Sequence, residues 1–252
     1  MVLPNESSLQ KLQFYVTTPY VCGYLPEQRA QSLIASPQHL ITPQIYSNLI
    51  QQGFRRSGNF AYRPHCQHCQ ACISVRIILD EFKPNRSQKR AFKQHAQLQA
   101  NALPLTFDAT HYDLYQNYQA ARHTSPETPQ TNDRLEEMEQ YRQFLCQSNV
   151  ESLMVEFREQ DNTLKMVSIV DVVQDGLSAV YTFYDTSDPK GSLGTYSILW
   201  LIEKAKSLGL PYLYLGYWIA ASQKMAYKQA FRPQERLIQG KWLVPSKSLD
   251  LS

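Results

Sequence analysis

Residues 152–183 constrain the fold of this chain most. Three runs rich in β-branched and aromatic residues, Ser152 to Arg158, Lys165 to Val173 and Leu177 to Phe183, are joined by the tight turns Asp161-Asn162 and Asp175-Gly176. Asp-Gly between apolar runs favours a turn whose twist matches that of its flanking strands, so the segment predicts an antiparallel meander. A helical run, Leu193 to Leu208 ended by Gly209, comes next, and then a strand, Tyr212 to Leu215, running into Gly216-Tyr217-Trp218. Helical spacing also marks Tyr112 to Arg122 and Leu135 to Leu145, separated by the loop Ser125 to Pro129, and a last helix at Lys224 to Ala230. The order helix–helix–strand–strand–strand–helix–strand–helix predicts a mixed α/β (α+β) acyltransferase domain of the N-acetyltransferase type. In such a fold the strands before and after the main helix splay apart and open a cleft for the acyl donor.

The 252 residues suffice for one large domain or two modest ones, and 43% hydrophobic residues with 12% aromatics support real cores. Pro104 marks a change of composition. Residues 1–105 hold eleven Lys/Arg and four Asp/Glu, whereas residues 106–252 hold fourteen and eighteen. We therefore expect a smaller basic N-terminal domain, 1–105, joined to a mildly acidic catalytic domain, 106–252. Within the first, residues 11–25 predict a strand and turn, and Glu27 to Ala35 and Pro43 to Gln52 two short helices. Thr42 is placed to cap the second of these, Pro43 to start it and Gly53 to end it. Val75 to Leu79 predicts a strand, and Ser87 to Leu103 a helix that is basic at its start.

Charge is most concentrated between residues 53 and 93. Nine Lys/Arg (Arg55, Arg56, Arg63, Arg76, Lys83, Arg86, Lys89, Arg90, Lys93) face two acids, Asp80 and Glu81, with Phe54, Phe60, Tyr62, Phe82 and Phe92 between them. Cations interleaved with rings on one side of a molecule suit a polyanion such as RNA. A solvated basic face is the plainer alternative. Cys66-x2-Cys69-x2-Cys72 lies in the same stretch. Its spacing allows thiolates to share a zinc or iron ion, with Cys22 or a histidine completing the site. Buried apolar thiols and a catalytic thiolate beside Arg63 or Arg76 remain open as alternatives.

No apolar run approaches the ~20 residues that span a bilayer, and Met1 to Gln10 lacks the pattern of a signal peptide. A cytoplasmic protein without membrane partners is the expectation. Five cysteines, an odd number, argue against a disulfide framework.

Three constellations in the second half are placed to do chemistry. Lys190-Gly191-Ser192-Leu193-Gly194-Thr195 opens the main helix, where free N–H groups form an anion site, although the Gly-Lys-Ser/Thr signature of a phosphate loop is missing. Tyr184 and Asp185 end one of the splayed strands, and Tyr217 and Trp218 end the other. Lys224 and Lys228 are one helical turn apart and are expected to share a face, with Arg232 a turn further on. No Ser/His/Asp arrangement, metalloprotease motif or dinucleotide fingerprint is present.

Seven motifs then fall into a recognisable order: Cys22-Gly23-Tyr24-Leu25, Gly53 to Gly58, Tyr62-Arg63-Pro64, Arg86 to Arg90, Val180 to Asp185, Ser192 to Ser197 and Gly216 to Ile219. Over residues 10–242 the chain resembles the aminoacyl-tRNA–protein transferases, and most of all their bacterial, leucine-transferring branch. Lys224 to Lys228 and Phe231-Arg232-Pro233 extend the similarity. The resemblance implies an enzyme that moves leucine from leucyl-tRNA to the N-terminal Asp or Glu of a protein and so creates a degradation signal. Arginyl transfer, and a non-enzymatic RNA-binding protein, are the alternatives. The ester of aminoacyl-tRNA is already activated, so no cofactor is required. Arginyl relatives in eukaryotes carry a second cysteine where Leu25 stands in this chain, a departure that puts the carry-over of an iron–sulfur cluster in doubt and leaves a metal at Cys66, Cys69 and Cys72 an open alternative.

Roles follow for the residues already singled out. The acceptor's carboxylate needs a cationic pocket, for which Arg76, Arg63 and Lys224 are the candidates. Trp218, Gly194 and Thr195 join them as substrate-binding residues. Tyr217 or nearby backbone N–H groups would stabilise the tetrahedral oxyanion. Tyr184, Asp185 and Lys228 complete the expected catalytic group, with Asp185 the sequence-level candidate for a general base. Phosphate contacts fall to Arg55, Arg56, Arg86, Lys89, Arg90 and Lys93.

Overall fold

The computed structural model describes residues 12–123, 134–187 and 191–245; Lys190 and the loop Ser125 to Pro129 lie outside them. In the first third of the chain, β1 (Gln13–Val16), β2 (Tyr20–Val21), β3 (Arg29–Ala30) and β4 (Ser32–Ser36) precede α1 (Pro43–Gln51). Thr42 caps α1 by accepting from Ile45 N, and Gly53 follows the helix at φ 85°. The helix expected over Glu27 to Ala35 is absent: β4 instead lies between β1 and β6. Leu33 and Ile34 are recruited to a strand by pairing with Val16 and Tyr15, a tertiary choice that local spacing does not reveal. Next come β5 (Arg55–Ser57), β6 (Phe60–Pro64), β7 (Ile73–Ile78), α2 (Arg86–Gln94) and β8 (Gln99–Leu103).

The helix read from Ser87 to Leu103 is therefore half right. Asn85 and Gln88 form a capping box that starts α2, but residues 99–103 leave it to become an edge strand paired with β9. Beyond lie α3 (Ala109–His123), α4 (Arg134–Leu145), β9 (Ser152–Arg158), β10 (Leu164–Val173), β11 (Gly176–Tyr184), α5 (Leu193–Ser207) and β12 (Tyr212–Trp218). A short α6 (Gln223–Ala226) runs into a 3-10 turn (Tyr227–Ala230), followed by the hairpin β13 (Gln234–Ile238) and β14 (Lys241–Leu243).

Eight strands form the main sheet in the order β14-β13-β7-β12-β11-β10-β9-β8, and β1-β4-β6-β5 form a smaller one. The expected meander is present as β9–β10–β11. β7 and β8 come from the first 105 residues, yet both belong to the main sheet, with β7 between β13 and β12. The boundary at 105 thus divides the composition but not the fold, because Ile73–Ile78 is buried between β12 on one side and β13 on the other. α5 covers one face of the sheet, where Leu199, Leu201 and Ile202 pack with Phe157, Leu177 and Leu213. A second core gathers α1 under the small sheet, with Tyr46, Leu49, Ile50, Phe54 and Tyr214. No helix among the described residues is long and apolar enough to cross a membrane.

One feature of the sheet positions the site. β11 and β12 are parallel and pair only from Gly176 to Ser178 and from Tyr212 to Tyr214. Beyond that point they part, and β12 continues beside β7 alone.

Candidate functional site

Two cations occupy the place where β11 and β12 separate. Arg55, buried, reaches in from β5 and donates to Ser178 Oγ (2.8 Å) and to the carbonyl of Ala179. It lies against Gly216, where an added Cβ would come within 3.3 Å of Arg55 Nε and the backbone φ is +77°. Glycine is required at that position on both counts. Lys228 enters from the other side and donates to the carbonyl of Tyr217 at 2.6 Å. Burial, reinforced by the charge of Arg55, pulls the Lys228 pKa down to about 7. Arg55 thereby holds β11 where the strands part, and Lys228 holds the end of β12, both out of contact with solvent.

Beside this point, between the small sheet and the β7–β12–β13 edge, lies a cavity of about 960 Å³. Arg29, Arg63 and Arg236 line it, as do Tyr24, Tyr62 and Trp218, and no Asp or Glu among the described residues lines it. Arg63 is half-buried, donates to the Gln52 carbonyl at 3.0 Å and lies 5.2 Å over the Phe54 ring. Arg236 stacks 4.0 Å over the Trp218 indole. A wall with three arginines and no carboxylate favours an anionic ligand. Tyr24, whose hydroxyl pKa is pushed up to about 12 by burial and then by Tyr62, keeps its proton at neutral pH.

Cys22 joins Cys66, Cys69 and Cys72 around this cavity. Burial first, and then the neighbouring Cys22, Cys66 and Cys69, push the Cys72 thiol up to about 12. Cys72 is thus a protonated thiol at neutral pH, the opposite of an activated nucleophile. Among the described residues no three His, Cys, Asp or Glu side chains are arranged to hold a metal ion.

Several expected site residues are engaged elsewhere. Arg56 is buried and bound to Asp171 at 2.7 Å, with further bonds to Gly58 O, Gln147 O and Ser152 Oγ, so neither it nor Arg55 presents a surface to a phosphate. Arg76 pairs with Glu235 at 2.7 Å and Asp175 at 3.6 Å and stacks on Tyr212 and Trp242. With two carboxylates of its own it is no pocket for a third. The Tyr217 hydroxyl donates to the Gly53 carbonyl at 2.8 Å and is not available to an oxyanion. Asp185 is bound by Lys165 and by Ser187 N; these bonds outweigh its burial and hold its carboxyl down to about 2. So strong an acid is a poor general base. Lys224 and Lys228 do not share a face, because α6 gives way to the 3-10 turn and leaves Lys224 exposed and Lys228 buried.

The other expected site residues are placed as follows. Arg86, Lys89, Arg90 and Lys93 are all exposed on α2. The buried Gln88 of the same helix donates to Ala230 O, which ties this basic face to the segment that carries Lys228. Gly194 packs against the Tyr184 ring, where a Cβ would touch it at 3.4 Å, and Thr195 is half-buried beside it. Tyr184 itself stacks edge-on with Tyr118 at 5.0 Å. Arg29, Tyr24, Tyr62 and Arg236 were not singled out from the sequence as site residues. The motif-bearing Tyr24 and Tyr62 carried the only available signal; Arg29 falls in the segment misread as a helix.

Comparison with known proteins gives a consistent picture. Family models described as "Arginine-tRNA-protein transferase, N terminus" and "Arginine-tRNA-protein transferase, C terminus" match residues 20–90 and 110–238. A protein of Methylobacillus flagellatus named aspartate/glutamate leucyltransferase is 62% identical over 243 residues, 96% of this chain and 95% of that protein. Proteins of the same name are 50% identical in Polynucleobacter asymbioticus, over 94% of this chain and 96% of the relative, and 50% identical in Thiobacillus denitrificans, over 95% and 97%.

Proposed function

Because the chain belongs to the arginine-tRNA-protein transferase family, we propose that it moves leucine from leucyl-tRNA to the α-amine of proteins that begin with Asp or Glu. The observation that carries this reading is the cavity whose wall, among the described residues, holds three arginines and no carboxylate. Relatives that bear the leucyltransferase name support leucine as the donated residue. The product would carry a destabilising N-terminal leucine, a signal for degradation.

The acceptor's side-chain carboxylate pairs with Arg63, the half-buried arginine of the wall. Its α-amine, whose ordinary pKa is near ~8, is pushed towards the neutral, nucleophilic form by the surrounding cations. The amine nitrogen attacks the ester carbonyl carbon of leucyl-tRNA, forming a C–N bond and a tetrahedral oxyanion. The Tyr24 hydroxyl, still protonated, is the donor on the wall that can stabilise that oxyanion. Collapse breaks the C–O bond, and the terminal ribose oxygen of the tRNA leaves with the proton released by the amine. The activated ester supplies the driving force, so the reaction draws on no cofactor. Lys228 is a positioning residue: its bond to the Tyr217 carbonyl fixes the stretch Tyr217–Trp218 that forms part of the wall. The parting of β11 and β12 supports an acyltransferase layout of the N-acetyltransferase type, and exposed α2 supplies the cations for tRNA phosphates.

Incubation with leucyl-tRNA carrying labelled leucine and with peptides beginning Asp, Glu, Asn or Gln tests this reading. Label is expected on the Asp and Glu peptides and not on the amides. Labelling from arginyl-tRNA in place of leucyl-tRNA would contradict the donor. Binding of tRNA with no peptide labelled would make the chain an RNA-binding protein.

A further inference from the structure

Among the described residues, nothing covers the edge strand β1. It terminates the small sheet in the order β1-β4-β6-β5, and all four of its residues are exposed. Phe14, Tyr15, Val16, Tyr20 and Val21 are between 43% and 62% exposed, and residues 12–26 include no charged side chain. Sheet edges in soluble proteins are ordinarily blunted by charge, proline or cover, because an open edge recruits further strands. A cluster of exposed apolar side chains marks an interaction surface for the same reason.

The open edge leads to the cavity. Val16 lies opposite Leu33 in the β1–β4 ladder, and Thr17 N donates to Ser32 O at 2.9 Å. Ser32 lines the cavity, and so does Tyr20, whose hydroxyl is 2.8 Å from Ser32 Oγ. Antiparallel pairing alternates, so the inward bond at Thr17 turns the N–H and C=O groups of Phe14 and Val16 towards the free side. The C-terminal end of β1 thus stands at the mouth of the cavity, and the backbone groups running away from it on the free side are paired with no described residue.

We propose that β1 is the docking edge for the acceptor polypeptide. This rests on the reading of the cavity as the pocket for the acceptor's first residue. With that residue inside, the chain that follows adds to the sheet as an antiparallel strand, running from Val16 towards Gln13. At about 3.4 Å per residue, the four positions of β1 accommodate roughly residues 3 to 6 of the acceptor. Charge is partitioned to suit this occupant: the arginines line the cavity, and the edge is uncharged. Acidity is read at position 1, and backbone hydrogen bonds, which any sequence can make, hold the rest. A folded partner would not fit, because only an extended N-terminus can lie on the edge and reach the cavity together.

Steady-state transfer to two acceptors that share their first two residues, an Asp-Ala dipeptide amide and an Asp-Ala decapeptide, tests the proposal. The decapeptide is expected to have the lower KM at similar kcat. N-methylation of single peptide nitrogens over residues 3 to 6 of the decapeptide should raise KM about five- to tenfold at alternate positions, the effect of one lost hydrogen bond each. Val16→Pro, which removes an outward N–H while leaving the β4 ladder intact, should raise the ratio of decapeptide to dipeptide KM, and Val16→Thr should not. Equal KM values for the two acceptors, or methylation effects without alternation, would overturn the docking edge. So would a dimer of the chain that pairs through β1 and is abolished by Val16→Pro without change in the KM ratio. Absence of leucine transfer to either acceptor from the unaltered protein would instead refute the underlying activity.

Discussion

Two sets of cations that are indistinguishable by composition part company in the fold. Arg55, Arg56 and Arg76 are buried, each bound to groups of the main sheet or its edge, whereas Arg86, Lys89, Arg90 and Lys93 stand exposed on α2. The first set lies on strands β5 and β7, whose side chains face packed layers; the second lies on the outer face of a helix. A basic stretch in a sequence is therefore two things at once in this molecule. Arg55 and Arg56 fasten the small sheet to the large one, Arg76 ties β7 to β13, and the other set stands exposed to solvent.

The largest expected effect falls on the buried set. Arg56→Ala leaves Asp171 as an uncompensated charge at a site where the carboxylate is fully buried, and a loss of ~3–5 kcal/mol of unfolding free energy is expected in urea titrations. A smaller loss, within the range of exposed substitutions, would show that Arg56 is not a fastener. Lys228 gives a second, pH-dependent effect. Its folded pKa of about 7 lies below its ordinary value of 10.5, so between those values the unfolded chain holds the extra proton and stability rises with pH. Below pH 7 both forms are protonated and the whole penalty remains. Lys228→Met should flatten this rise between about pH 7 and 10, read from urea midpoints at several pH values. On the exposed set, Lys89→Gln or Arg90→Gln should leave stability within about 0.5 kcal/mol. Each lost phosphate contact is expected to reduce the magnitude of the salt slope of tRNA binding by just under one unit. Unchanged slopes would remove α2 from the tRNA surface.

The same contrast explains which parts of the molecule could be read in advance. The β9–β10–β11 meander and α5 are local: the hairpin turns one residue earlier than Asp175-Gly176, at Gln174-Asp175, with Gly176 already paired to Val173, and Gly209 ends the helix. Thr42-Pro43 likewise announces α1. β4 and β8 were missed because residues 32–36 and 99–103 have no strand character of their own and are drawn into sheets by distant partners. The site was legible in part. Motif residues such as Arg63 and Trp218 do line the cavity. Arg76 was misjudged because its carboxylate partners, Asp175 and Glu235, are 99 and 159 residues away in the chain. Burial of Tyr217 against Gly53, and of Lys228 against the Tyr217 carbonyl, depends on the same long-range closure.

The most direct test of the cavity as the acceptor site is Arg63→Gln, measured with Asp- and Asn-initiated peptides and, separately, by leucyl-tRNA binding. KM for the Asp peptide is expected to rise about 10- to 100-fold, as a charge-assisted hydrogen bond is lost, and the preference for Asp over Asn should collapse. The dissociation constant of leucyl-tRNA should stay where it was. Loss of leucyl-tRNA affinity with the preference for Asp over Asn intact would contradict this assignment and make the arginine wall part of the tRNA site.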